Sequence, residues 1–228
     1  MKKLFFILAV AFLLSCTSIE RDSVCDEKSI YYNGCVGGVS SSSVPSSSSG
    51  STQSITYGDP VPYMGETYET VVIGKQTWMA RNMSYGADGS RCYLNDAAYC
   101  QTYGRLYKWE TAMSVCPPGW SLPSTYDWNV LINYIGTTST AGLYLKAQSG
   151  WGDGDGNGKD VAGFSALPGG FGGYDNLFSD VGIYGYWWGN MDNNYGSAYV
   201  WSMGFSNEAV SNNQMSKDNL YSVRCVKD

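Results

Sequence analysis

The apolar pattern changes period several times along this chain, and each change predicts an element. Tyr68 to Met79 (YETVVIGKQTWM) gathers β-branched and aromatic residues on both sides of Gly74-Lys75, which predicts a hairpin. Arg105 to Cys116 (RLYKWETAMSVC) sets Leu106, Trp109, Ala112 and Met113 at helical spacing, with Pro117-Pro118 as the stop. Pro123 to Ile135 (PSTYDWNVLINYI) predicts a second helix: Ser124 is the N-cap, Asp127 follows three residues on, and Trp128, Leu131, Ile132 and Ile135 make its apolar stripe. Beyond Gly136 the helical period vanishes. Glycine, aromatic residues and asparagine alternate through GYWWGN, AYVWSMGF and YSVRCVKD, which predicts short strands and long loops. Strands, then two helices, then strands make an α+β arrangement.

The first residues carry a different pattern. Met1-Lys2-Lys3 gives a positive start, Leu4 to Leu14 is an apolar run of eleven residues, and Leu13-Leu14-Ser15-Cys16 closes it. That is the anatomy of a signal peptide over 1–15, and the run is too short for a retained helix, which needs about 20 residues to span a bilayer. A segment over 16–38 follows, with Cys25 and Cys35 closing a short loop. Val39 to Ser54 (VSSSSVPSSSSGSTQS) has no apolar period and nothing to bury, so 39–56 reads as a flexible linker and 57–228 as the folded domain.

Charge and cysteine usage narrow the function classes. The chain carries 14 basic and 20 acidic residues; without Lys2 and Lys3 the mature form has a charge of −8, which disfavours nucleic acid as a partner. There is no histidine, so imidazole-based triads and histidine-ligated metal sites are excluded. Seven cysteines are an odd number; setting Cys16 apart leaves six, a disulfide set for an oxidising compartment. Cys25 with Cys35, and Cys92 with Cys100, are close in sequence and flanked by turn formers, which leaves Cys116 with Cys225 by elimination.

The Leu-Leu-Ser-Cys ending resembles the bacterial lipobox. The resemblance implies a lipid on Cys16, an anchor in the membrane and, with Thr17 following instead of aspartate, residence in the outer membrane of a double-membraned bacterium; the expected localisation is thus outer membrane or cell surface, either face being open. Further on, WETAMSVCPPGWSLPSTYDWNVL, GFSALPGGFGG, GYWWGN and YSVRCVKD resemble the Fibrobacter succinogenes major paralogous domain over Tyr68 to Asp228. More distantly, a helix ending in cysteine, then Gly-Trp-Ser-Leu-Pro-Ser, a second helix and a cysteine in the final strand resemble the C-type lectin fold. That likeness implies two helices packed on small mixed or antiparallel sheets with long loops, and it again pairs Cys116 with Cys225. Function does not travel with a fold. The calcium-lectin tripeptides are absent, as is the late cysteine pair of the formylglycine-generating relatives.

Two patterns offer sites. Asp153, Asp155, Asn157 and Asp160 alternate with glycines like the opening of a calcium loop, although Phe164 stands where the bidentate glutamate belongs; turn chemistry selects the same residues. Tyr184, Tyr186, Trp187, Trp188, Tyr195, Tyr199 and Trp201 crowd a region rich in glycine and asparagine, and flat rings beside amides suit a polysaccharide. For catalysis, Glu66, Glu69, Glu110, Asp127 and Glu208 propose no pair. The resulting expectation is a non-catalytic surface module binding an extracellular polymer, carbohydrate first. The alternative is a structural envelope lipoprotein that contacts other proteins and has no ligand.

Overall fold

The computed structural model describes residues 54–228 apart from Asp153 and Asp155. The expectations for the signal segment, Cys16, the Cys25–Cys35 loop and most of the serine-rich linker lie outside the described residues, as do Asp153 and Asp155. In chain order the strands and helices are β1 (Val61–Tyr63), β2 (Glu66–Tyr68), β3 (Thr70–Ile73), β4 (Gln76–Met79), β5 (Ser90–Arg91), α1 (Ala97–Tyr103), β6 (Leu106–Tyr107), α2 (Trp109–Ala112), β7 (Trp120–Ser121), α3 (Thr125–Ile135), α4 (Ala141–Leu145), β8 (Gly169–Gly172), β9 (Phe178–Val181), β10 (Tyr184–Asp192), β11 (Ser197–Gly204), β12 (Val210–Ser216), β13 (Tyr221–Ser222) and β14 (Val226–Lys227).

Strand β10 organises the larger sheet. It pairs antiparallel with β11, which pairs in turn with β12; on its other edge it runs parallel to β8 and then to β13. β13 passes the sheet on to β6 and β5, while β9 flanks β8, so eight strands curl into one sheet. A second sheet has the order β3-β4-β14-β7, with the C-terminal strand between partners far away in sequence. The predicted hairpin is β3 and β4, turning at Gly74 with φ +62. A left-handed position of this kind favours glycine because a Cβ there crowds the backbone.

Adjacent residues on β10 face opposite sides of the sheet. Trp187 pairs across to Trp201 and joins Trp78, Trp128, Phe164 and Leu131 in one core; Trp188 pairs across to Val200 and joins Tyr107, Tyr221 and Val223 in another. Both faces of the sheet are therefore covered. Helix α3 closes the first core with Trp128, Leu131 and Ile132, and its N-terminus carries the complete capping box: Ser124 Oγ accepts from Asp127 N, and Asp127 Oδ2 accepts from Ser124 N.

The α+β, C-type lectin-like expectation is corrected. Strand makes up 35% of the described residues and helix 17%, and the four helices are short pieces set around a curled sheet. The helix predicted over 105–116 is one turn, Trp109–Ala112, because Leu106 and Tyr107 are both buried and pair with β13 and β5 as sheet. Helix α1, unpredicted, is capped by Asp96, whose side chain accepts from Ala98 N.

Two of the expected disulfides form, Cys92–Cys100 across 8 residues and Cys116–Cys225 across 109. The second ties the loop after α2 to the residue before β14, fixing the C-terminus where it can enter the second sheet. The chain-entropy cost of a crosslink grows with loop length, to about 2.5 kcal/mol for the short loop and about 4.8 kcal/mol for the long one. Replacing Cys116 and Cys225 by serine together is therefore expected to lower unfolding stability by about 2 kcal/mol more than replacing Cys92 and Cys100, as read from urea denaturation midpoints at equal slope.

Candidate functional site

The aromatic strip splits by burial. Trp187 and Trp188 are fully enclosed and Trp201 is 3% exposed, so these three rings hold the core and show no face to a polymer. Their polar edges are used internally: Trp187 Nε1 donates to Asn82 Oδ1 at 2.8 Å and Trp188 Nε1 to Tyr107 O at 2.7 Å. Tyr184 and Tyr186, two apart on β10, stack at 5.7 Å and are half-buried. Tyr186 donates its hydroxyl to Asp180 Oδ2 at 2.8 Å. Tyr195, at the β10–β11 turn, is 92% exposed and alone in the strip in standing free. The structure thus does not bring these residues together as one surface. Strand alternation with both faces covered is the reason, and composition alone does not reveal the second cover.

In the calcium-like loop the two described ligands are already committed. Asn157 Oδ1 accepts from Trp151 N at 3.1 Å, and Asp160 accepts from Ser165 N at 2.8 Å and Ser165 Oγ at 2.6 Å. These are turn-closing contacts, the role that turn chemistry gives such residues. Among the described residues no group of three acidic or cysteine side chains gathers to hold a metal ion.

The carboxylates weighed for catalysis are dispersed. Glu66 pairs with Arg81 at 2.8 Å, Asp127 serves the capping box, and Glu69, Glu110 and Glu208 are exposed on separate elements. Lys146 is buried, donating to Gly204 O at 3.0 Å and Asn207 O at 2.9 Å; burial pushes its ammonium down, partly offset by the charge of Glu208.

Hollows lie elsewhere on the domain, away from the aromatic strip, and two of them bear on binding. One is open, of about 590 Å³, between the Gly74-Lys75 turn and α3, lined by Ile73, Val130, Asn133 and Tyr134 besides the turn itself. Tyr134 packs its ring on Gly74, where a Cβ would meet the ring at 2.8 Å, and stays 53% exposed. Tyr126, two turns earlier on α3, is 75% exposed. The signal for this surface was present in the helix pattern: Tyr126, Val130 and Tyr134 repeat every four residues on the side away from the apolar stripe. The other hollow, of about 200 Å³, lies where α1 meets the end of β4, with Asn82 and Arg224 in its wall.

The site-bearing part is thus a disulfide-crosslinked, mostly β domain with two candidate hollows. The family model of the Fibrobacter succinogenes major domain matches residues 71–227, and the chain belongs to that family. No curated protein and no solved structure matches it.

Buried tyrosines make this domain sensitive to alkaline pH. Burial pushes the hydroxyls of Tyr93, Tyr103, Tyr107, Tyr186 and Tyr221 up, and the carboxylate of Asp180 adds to the rise at Tyr186. Above the unfolded value of 10.0 the unfolded chain loses tyrosyl protons that the folded one keeps, so stability falls as pH rises. Arg224 and Lys146, whose folded values are lowered, act in the opposite sense but are fewer. Denaturation midpoints are expected to drop steeply above pH 10.0. Tyr186→Phe should destabilise the neutral protein by about 1–2 kcal/mol through the lost hydrogen bond, and should flatten the alkaline decline.

Proposed function

We propose that this chain is an exported lipoprotein, cleaved before Cys16 and anchored in the outer membrane by lipid, whose serine-rich tether presents a non-catalytic domain that binds extracellular polysaccharide. Two disulfides inside the domain support an oxidising compartment. The observation that carries polymer binding is Tyr134, a half-exposed ring laid on Gly74 with Asn133 and Lys75 beside it in an open hollow. A sugar ring stacks its C–H face on such a platform and meets amide and ammonium donors at its rim. Tyr126 lies about 12 Å along the same helix, so an extended chain of sugars reaches both rings, whereas a single small molecule does not.

This places recognition on α3 in place of the Tyr184–Trp201 strip. Retention of the mature protein on insoluble polysaccharides tests it. Tyr134→Ala is expected to reduce retention about tenfold, equivalent to about 1.4 kcal/mol, without moving the melting temperature by more than a degree or two. Trp188→Ala should instead destabilise by about 3–5 kcal/mol. Unchanged retention in the Tyr126→Ala, Tyr134→Ala double variant would overturn the polymer surface. Capture of one abundant envelope protein by crosslinking in intact cells, with no polysaccharide retained, would install the structural lipoprotein reading. For the anchor, intact-mass analysis should find an acylated Cys16 at the mature N-terminus.

A further inference from the structure

Arg224 is 1% exposed, and its five N–H groups can be accounted for one by one. Nε donates to Asn82 Oδ1 at 2.9 Å. Nη1 donates to Met79 O at 3.2 Å and also to Phe164 O. Nη2, with two N–H groups, has no hydrogen-bond partner among the described residues, and it is absent from the polar atoms that are both sealed and unpartnered: Trp128 Nε1, Trp201 Nε1 and Asn212 Oδ1. It is therefore not sealed, and the residue that carries it stands in the wall of the cavity of about 200 Å³.

The guanidinium also has no counter-ion in contact among the described residues. The ion pairs among the described residues are Arg81–Glu66 and Lys217–Asp192. Asp160 is the carboxylate whose field reaches Arg224, but its own two oxygens are taken by Ser165. Burial pulls Arg224 down to about 9, which still leaves it charged at neutral pH. Enclosing a cation without an ion pair costs several kcal/mol, and an anion delivered to its free edge recovers part of that. Arg81 also lines the cavity, yet its Nη2 is held by Glu66 Oε2 and Thr67 O, each at 2.8 Å.

We propose that this cavity binds a carboxylate on a ligand of the size of one hexuronic acid, with Arg224 Nη2 as the anion's partner. One unpartnered Arg224 nitrogen with two N–H groups, beside an Arg81 whose charge is already paired with Glu66, suits a monoanion better than a phosphate dianion. The volume lies below the range of about 300–1,000 Å³ typical of drug-sized ligands, which limits the occupant to about one sugar ring. Gln101 and Thr102, exposed on α1 at the mouth, stand where ring hydroxyls would emerge.

Titration calorimetry of the mature protein at constant ionic strength, with galacturonate, glucuronate, glucose and N-acetyl-diglycine, tests this directly. Saturable binding of a uronate with a Kd of about 1 mM is expected, with glucose at least about tenfold weaker. Gln101→Glu, at an exposed position, should weaken uronate about fivefold by charge repulsion while leaving the melting temperature unchanged. Arg224→Lys keeps the charge but loses the planar fork and should abolish binding; if it fails to fold, the Gln101 variant decides. Equal response to glucose, no saturable response to either uronate, or indifference to Gln101→Glu would overturn the proposal, and binding of the dipeptide alone would overturn the sugar acid as its ligand. Tyr134→Ala should leave uronate affinity intact, which separates this cavity from the polymer surface on α3.

Discussion

The fold turns on a single side-chain amide. Asn82 Oδ1 receives Trp187 Nε1 from the centre of the large sheet and Arg224 Nε from the segment between β13 and β14, while its Nδ2 donates to Tyr103 O at the end of α1. Each of these groups is buried or nearly so, and a buried donor without an acceptor forfeits about 1–3 kcal/mol. No one of the three elements can shift without orphaning the others. The same guanidinium lies over the Phe164 ring at 4.6 Å and reaches Met79 O at the end of β4, so the second sheet is fastened to the same point. The Cys116–Cys225 crosslink, one residue beyond Arg224, keeps the segment in range.

That constraint explains which parts were legible in the sequence. The β3–β4 hairpin and α3 are specified locally, by a turn glycine with positive φ and by a capping box, and both stand where expected. Of the two described disulfides, Cys92–Cys100 follows from cysteine spacing and Cys116–Cys225 from elimination. The start of the segment from Arg105 to Cys116 is ambiguous in the sequence because its apolar residues satisfy helical spacing equally well, and only long-range pairing of Leu106 and Tyr107 with Ser222 and Tyr221 decides for strand. Nothing within twelve residues encodes that pairing. A tertiary partner overrides a weak local preference.

The aromatic strip fails as a surface for a related reason. A sheet with one solvated face would present every second ring, and GYWWGN would then offer one tryptophan outward. Here the first core lies against Trp187 and the second against Trp188, so alternation merely assigns each ring to a different core. The packing is aromatic throughout: Trp128 stacks on Trp201 at 5.4 Å and meets Trp78 at 5.3 Å. It leaves the Trp128 and Trp201 indole N–H groups without acceptors among the described residues, a local loss outweighed by the area that such rings remove from water.

With four short helices and many two-residue strands, most of this chain is loop held by side chains instead of by backbone ladders. Lys146 reaching two carbonyls, Asp160 closing on Ser165 and Tyr186 on Asp180 are all of this kind. Asp127, Asp160 and Asp180 are held in turns and caps in this way, whereas Glu69, Glu110 and Glu208 stay exposed on separate parts of the chain. Among the groups these pins leave uncommitted are the tyrosines on the outer side of α3 and one nitrogen of a buried arginine. A scaffold whose loops must be pinned individually can expose new rings on a helix face without disturbing the pins, whereas altering Arg224 touches both sheets at once. The two hollows therefore differ in how freely their specificity can change, the α3 surface readily and the arginine cavity hardly at all.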